Sequence, residues 1–329
     1  MEKLTGKGKM LFLAAVLALS LAVVSSPQGV SAAPWPERNI TIVVAYNPGG
    51  GFDLVARVTA PFIEKYLPKR ASVIIKNVPG GGTRIGTREL AKAKPDGYTI
   101  SIFDPVSLAV MEYGGKPDWL NVRKLTWLAQ LDNLADMLVV GPKTGFKHPR
   151  DLKGKTVRFA GQDDATIFRS AVVAHSLGAM PVFVRYGGTG EAVMASLRGD
   201  LDALSLSWSS GMRQVKTSED KMIPLLVSSK VPGLNVPSGK ELGITVDELV
   251  MDHPHTMAGP PGMPSDVQRM WEETFVKVTK DPEWIAKMEK LGYPASPLIG
   301  KKKLDAPIAA TMGRMDKYKD IIGGLTLIK

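Results

Sequence analysis

Twice near its start the chain runs an apolar strand into three consecutive glycines and then into a helix. In "VVAYNPGGGFDLVAR", Val43 to Arg57, β-branched residues give way to Gly49-Gly50-Gly51, then to Asp53 and the helical apolar spacing of "DLVARVTAPFIEKYL". In "NVPGGGTRIG", Asn77 to Gly86, the strand "SVIIKNV" ends at Pro79, and Gly80-Gly81-Gly82 lead into "IGTRELAKAKP". Glycine reaches backbone conformations closed to other residues and lets a ligand approach the main chain closely. The helix that follows offers unpaired N–H groups and a partial positive charge at its first turn. Strand, glycine loop and helix together make a receptor for a carboxylate or a phosphate. The plain alternative is a tight strand-to-helix turn in which Asp53 is a cap. No Gly-Lys-Ser/Thr follows either loop, so neither is a nucleotide P-loop.

The alternation continues beyond these junctions. "DGYTISIF" is a third strand behind an Asp-Gly turn, and a second set starts near "ADMLVVGPKTGFKHPRDLKGK". Strand "TVRFA", helix "TIFRSAVVAHSL", strand "PVFVRY", helix "GEAVMASLRG" and strand "DALSLS" follow. Strands alternating with helices predict an α/β fold with a largely parallel sheet. Continuous apolar strands such as "ITIVVA" suit a sheet covered on both faces. From "HTMAGPPGMP" onwards the pattern reads as mainly helical, with Ser265 and Asp281 as candidate N-caps. Two such units predict two lobes with a cleft, and ligands of open α/β sheets bind beyond the carboxyl ends of the strands. The expected boundaries are 1–33 for a leader, 34–136 with 252–329 for the first lobe, and 137–251 for the second. The interlobe crossovers fall near Asp132 to Leu138 and near Leu249 to Met257.

The leader is a secretory signal peptide in pattern. Lys3, Lys7 and Lys9 precede an apolar run from Leu11 to Val24, and "SSPQGVSAAPWP" supplies cleavage sites near Ala32 or Ala33. The run is short against the roughly 20 residues that span a bilayer. No cysteine follows it, so a cysteine-anchored lipoprotein is excluded, and with no cysteine anywhere disulfides and thiolate chemistry are excluded as well. The formal net charge is +10 and stays strongly basic once the leader's three lysines and Glu2 are gone. That balance fits an anionic ligand, an anionic envelope or a dispersed solubilising surface. Nucleic acid is not expected, because the basic residues are spread along the chain.

Several segments in order resemble one family. Strand-"GGGxD"-helix, "PGGGTRIG", "AKAKPDGYTI", "GKTVRFAGQ", "RYGGTGEAVMASLRGDLDAL" and "AGPPGMPSDVQRMW" are similar to the Bug/TctC family of extracytoplasmic solute-binding proteins of tripartite tricarboxylate transporters. The likeness covers nearly the whole mature chain. It implies a two-lobed, periplasmic-binding-protein-like (Venus flytrap) fold that closes on an organic anion in an interlobe cleft. It implies that Tyr46, Gly50, Gly51 and Asp53, with Gly81, Gly82 and Arg84, surround one carboxylate. The second lobe would add Gly161, Gln162, Asp163 and Thr166, then Tyr186, Gly187, Gly188 and Thr189, and Ser205 and Ser207. Phe52 and Tyr46 either flank an aromatic acid or belong to the core. The implied partners are a small organic anion and the membrane subunits of such a transporter, with a monomer as the expected state and no cofactor.

The chain departs from the family pattern in ways that bear on the ligand. Thr83 and Arg84 stand where the family usually has Gly-Asn, and Phe52 stands where Thr or Ser is common. Arg84 either pairs with a carboxylate or faces solvent. Asp163 and Asp164 occupy a loop that is usually small or neutral; they either face the cleft or cap the helix at Thr166, and capping is preferred. Asp53 either fixes the loop by accepting backbone N–H groups or orients a water.

Catalytic and metal signatures are missing. Pro254 splits His253 from His255, and no third ligand lies nearby in sequence. "SLSWSSG" is not a Gly-x-Ser-x-Gly elbow. A binding protein is expected, with a ligand-binding partner of a membrane sensor kinase as the alternative and a periplasmic hydrolase as the less favoured one.

Overall fold

The computed structural model describes residues 35–115, 117–244 and 251–325. The expected signal segment, and Leu249 and Val250 of the second expected crossover, lie outside the described residues.

The strands in chain order are β1 (Ile40–Val44), β2 (Val73–Asn77), β3 (Thr99–Phe103), β4 (Thr126–Leu134), β5 (Asp136–Val140), β6 (Thr156–Gly161), β7 (Met180–Arg185), β8 (Ala203–Ser207), β9 (Ile223–Val227), β10 (His253–Gly259) and β11 (Ala295–Ile299). The helices are α1 (Gly51–Tyr66), α2 (Arg84–Ala91), α3 (Pro105–Gly115), α4 (Asp164–Leu177), α5 (Thr189–Arg198), α6 (Trp208–Thr217), α7 (Ser265–Val278), α8 (Pro282–Lys290), α9 (Lys301–Arg314) and α10 (Lys319–Leu325).

These elements make two sheets, ordered β11-β4-β10-β3-β1-β2 and β7-β6-β8-β5-β9. In the first, β1 pairs parallel with β2 and β3, with Ile40 opposite Val73 and Val44 opposite Asn77. Ile40, Ile42, Val43 and Val44 are fully buried, as a strand covered on both faces requires. Because β1 and β2 end side by side, both glycine loops leave the sheet at one edge of the same strand ends. In the second sheet β6 is parallel to β7 and β8.

Neither sheet is largely parallel, contrary to the sequence-based expectation. β10 runs antiparallel to β3 and β4, β11 antiparallel to β4, and β5 antiparallel to β8 and β9. Strands joined through helices run the same way, β1 to β4, β6 to β9, and β10 with β11, whereas β5 and β10, at which the chain enters from the other sheet, run against their neighbours. Only Ala135 separates β4 from β5. The segment expected to be mainly helical contains β10 and β11 as well as four helices.

One apolar cluster joins the two layers. Phe103, Val106, Leu108 and Met111 of β3 and α3 belong to the same buried group as Phe159, Phe168 and Val172 of β6 and α4. A side chain such as Phe168, fully buried, contributes about 1.5–3 kcal/mol by leaving water. A second cluster, with Met137, Val139, Ala160, Leu204 and Leu206, lies between the second sheet and its outer helices. Asp163 caps α4 by accepting from Thr166 N at 2.7 Å, and Asp281 caps α8 by accepting from Glu283 N and Trp284 N. Ser265 is the first helical residue of α7 rather than its cap, which is Pro264.

Candidate functional site

The loops beyond the strand ends of both sheets enclose a cavity of about 880 Å³, within the roughly 300–1,000 Å³ usual for ligand pockets. The first sheet contributes Gly49 to Phe52 and Gly80 to Thr83, and the second contributes Gln162, Asp163, Thr166, Arg169, Tyr186 to Gly190 and Ser205 to Ser207.

The first glycine loop is built around Asp53. Its buried carboxylate accepts from Gly49 N at 2.8 Å, from Arg57 Nε at 2.9 Å and from Asn77 Nδ2 at 2.9 Å. Burial alone would raise the Asp53 carboxyl, but the bonds from Arg57, Gly49 and Asn77 outweigh it and hold it below its ordinary value. Gly50 precedes α1 with no side-chain cap, so the first N–H groups of that helix have no side-chain acceptor. Gly51 packs closely under Tyr293, whose Oη a Cβ at this position would meet at 2.8 Å and have to displace.

The second loop holds four successive residues at positive φ, from Gly80 at 119° to Thr83 at 76°. Thr83 is therefore strained, at the position where the family usually has glycine. Arg84 does not enter the cavity. It reaches from the second glycine loop to Asp164 at the start of α4, with Nη2 and Oδ2 2.6 Å apart, and Arg185 Nη2 contacts the other oxygen of Asp164 at 3.2 Å. Asn47 Nδ2 likewise donates to Gly187 O, so both first-sheet loops touch second-sheet loops over the cavity.

An aromatic row lines one wall. Tyr46 stacks on Phe52 at 4.3 Å, Phe52 lies 4.4 Å from His255, and His255 meets Tyr293 edge-on at 5.2 Å. The Tyr46 phenol is pushed well up by burial and then by Asp163 and Asp104, so it keeps its proton. At the floor, Arg169 pairs with Asp104 at 2.6 Å, both nearly inaccessible, and donates to Asp252 O. His253 Nε2 lies 2.6 Å from Asp136 Oδ1, and Ser205 Oγ donates to the same carboxylate. Burial, then Arg169, lowers the His253 pKa despite Asp136. His255 Nδ1 sits 2.7 Å from Asp132.

Of the residues expected around the ligand, all but Asp53, Arg84 and Gly161 line the cavity. Asp53 lies behind the glycine loop, Arg84 spans to Asp164, and Gly161 ends β6 packed against Ile167. Of the paired aspartates, Asp163 both caps α4 and lines the cavity, while Asp164 lies outside the lining and holds two arginines. Sequence reasoning missed Asp104, Arg169, Arg213, His253, His255 and Tyr293, all of which line the cavity. Two signals were in view, the His-Pro-His pair and the carboxyl end of "TISIF", which Asp104 follows directly. Among the described residues no group of three or more His, Cys, Asp or Glu is placed to hold a metal ion.

Because the Arg84 pair is partly exposed, its removal has a bounded effect. Arg84→Ala is expected to weaken binding of a cleft ligand by about two- to fivefold, and by less at high salt. A hundredfold loss in a calorimetric titration would mean instead that Arg84 contacts the ligand itself.

The family description "tripartite tricarboxylate transporter family receptor", TctC, matches residues 55–298. The chain belongs to the TctC family. It is 26% identical over 328 residues to a UPF0065 protein of Cupriavidus necator, covering 96% of this chain and 95% of that one. It is also 26% identical to the protein BugT of Bordetella pertussis, over 70% of this chain and 74% of that one. The fold is that of the periplasmic binding protein BugD, with a TM-score of 0.75 at 22% identity, covering 88% of this chain and 99% of the other. MatC of Rhodopseudomonas palustris, solved with malate, gives 0.71 at 19% identity, covering 88% of this chain and all of that one. The R. palustris protein Rpa4515, solved with adipate, gives 0.76 at 18% identity, covering 88% and 98%. No helix among the described residues is long and apolar enough to cross a membrane.

Proposed function

We propose that this chain is an exported, periplasmic binding protein that captures a carboxylate-bearing organic acid and passes it to the membrane subunits of a tripartite tricarboxylate-type transporter. The observation that carries this reading is the cavity itself, which both glycine loops line beside the start of α1, whose first N–H groups have no side-chain acceptor. Those donors suit an oxyanion. The family match and the malate and adipate in two structural neighbours support the carboxylate assignment. The two sheets with their helices act as lobes, 34–136 with 252–329 and 137–251, that close about the crossovers at Ala135 and before His253. The protein works as a monomer and carries out no chemistry on its ligand. In support, Ser205 is bonded to Asp136, and the two cavity histidines are bonded to Asp136 and Asp132.

The test is a thermal-shift screen on protein stripped of carried ligand by unfolding and refolding. The panel holds di- and tricarboxylates, aromatic acids, amino acids and sugars. A ligand at a hundred times its dissociation constant adds about 2.7 kcal/mol, so a shift confined to one carboxylate class is expected. Shifts with sugars or amino acids alone would overturn the assignment.

A further inference from the structure

The cavity contains one guanidinium whose donors are largely unused. Arg213, on α6, lines it half-buried, and its polar contacts are Ser210 Oγ at 3.2 Å and Tyr293 Oη at 3.4 Å. Both partners are neutral and both distances are long for a guanidinium, which has five N–H donors to place. No carboxylate among the described residues is within ion-pair reach of Arg213. The other arginines at or around the cavity are committed: Arg169 to Asp104, Arg84 and Arg185 to Asp164, and Arg57 to Asp53.

The position of Arg213 gives this spare charge a direction. Tyr293 Oη, which Arg213 contacts, is also the atom that a Cβ on Gly51 would strike. Arg213 of the second sheet's helices and the first turn of α1 therefore converge on the same end of the cavity, one from each layer. A planar guanidinium binds a carboxylate through two parallel N–H groups, which a lysine or an amide does not reproduce.

We infer that Arg213 is the side chain by which the second layer grips the ligand's carboxylate, opposite the first turn of α1, and that it selects acids over their neutral amides. This rests on the carboxylate reading given above and assigns the specificity within it. An anion held between the two layers binds the closed arrangement better than any open one, so Arg213 also couples capture to closure.

The experiment is calorimetric titration of refolded wild type, Arg213→Gln and Arg213→Lys with malate, adipate and adipamide, together with thermal melts of each protein without ligand. Wild type is expected to bind a dicarboxylate and not the diamide. Arg213→Gln is expected to bind that acid about a hundredfold more weakly, and Arg213→Lys about tenfold more weakly, with the unliganded melts unchanged. Equal affinity of wild type and Arg213→Gln for the acid would overturn the role of Arg213 while leaving the carboxylate reading intact. If Arg213→Gln does not fold, Arg213→Lys carries the comparison, and unchanged affinity there overturns the role equally. Wild type that binds adipamide as tightly as adipate would defeat the carboxylate reading and this inference with it.

Discussion

Arg169→Met is expected to destabilise the protein by about 3–5 kcal/mol, the cost of breaking a buried ion pair by removing one partner. Arg169 is 1% exposed and Asp104 is 3% exposed, so neither charge has water to fall back on. Burial works against the guanidinium, and Asp104, followed by Asp136 and Asp163, more than restores its charge, leaving its pKa above the ordinary value. Methionine matches the volume of the arginine stem but leaves the Asp104 carboxylate in the floor with Val106 N as its remaining donor among the described residues. It also removes the donor that satisfies Asp252 O just before β10. The pair joins α4 of the second layer to the end of β3 in the first, so the loss is spread over the whole structure. Urea unfolding at neutral pH measures it directly. The double variant Arg169→Met, Asp104→Asn should recover part of the loss, because the uncompensated charge is then gone. A single-variant cost under about 1 kcal/mol would place the pair among ordinary surface bridges and defeat the account of it as a buried link.

Much of the layout is legible in the chain because the signals are local. β1, β2, β3 and β6 are β-branched runs ending in loops with glycine or aspartate, and those ends are where the cavity forms. β10 was not legible because "HPHTMAG" has no apolar alternation and includes Pro254. The fold tolerates that proline because β10 pairs with β3 only from Thr256 onwards, leaving one side of Pro254 without a strand. β11, "ASPLI", is a short edge strand with the same difficulty. In the site, glycine loops announce themselves through composition, whereas Arg169 and Arg213 sit within helices and acquire meaning only from what lies across the cleft. Arg84 shows the same limit. Its neighbours leave a choice between a ligand contact and a solvent-facing residue, and the fold supplies a third role through Asp164, eighty positions away in sequence.

Asp53→Asn is expected to cost about 3 kcal/mol of stability and to weaken ligand binding more than tenfold, although Asp53 does not line the cavity. One carboxylate oxygen holds Gly49 N in the first glycine loop, and the other holds Asn77 Nδ2 at the end of β2, where the second loop begins. Asn77 passes the restraint on to Tyr46 O, and Arg57 closes the circuit by bonding both Asp53 and Asn77. A single buried anion thus fixes the relative placement of both loops, and an amide in its place turns an NH2 group toward one of three donors. The pH dependence gives the decisive sign. The Asp53 pKa is depressed in the folded protein, so its stabilisation is complete above the unfolded value of about 3.9 and is lost as pH falls through the folded value. The stability gap between wild type and Asp53→Asn should therefore be full at pH 7 and narrow only below about pH 4. A gap that stays constant down to pH 2 would mean that the variant acts through packing alone, and the charge would not be what holds the two loops together.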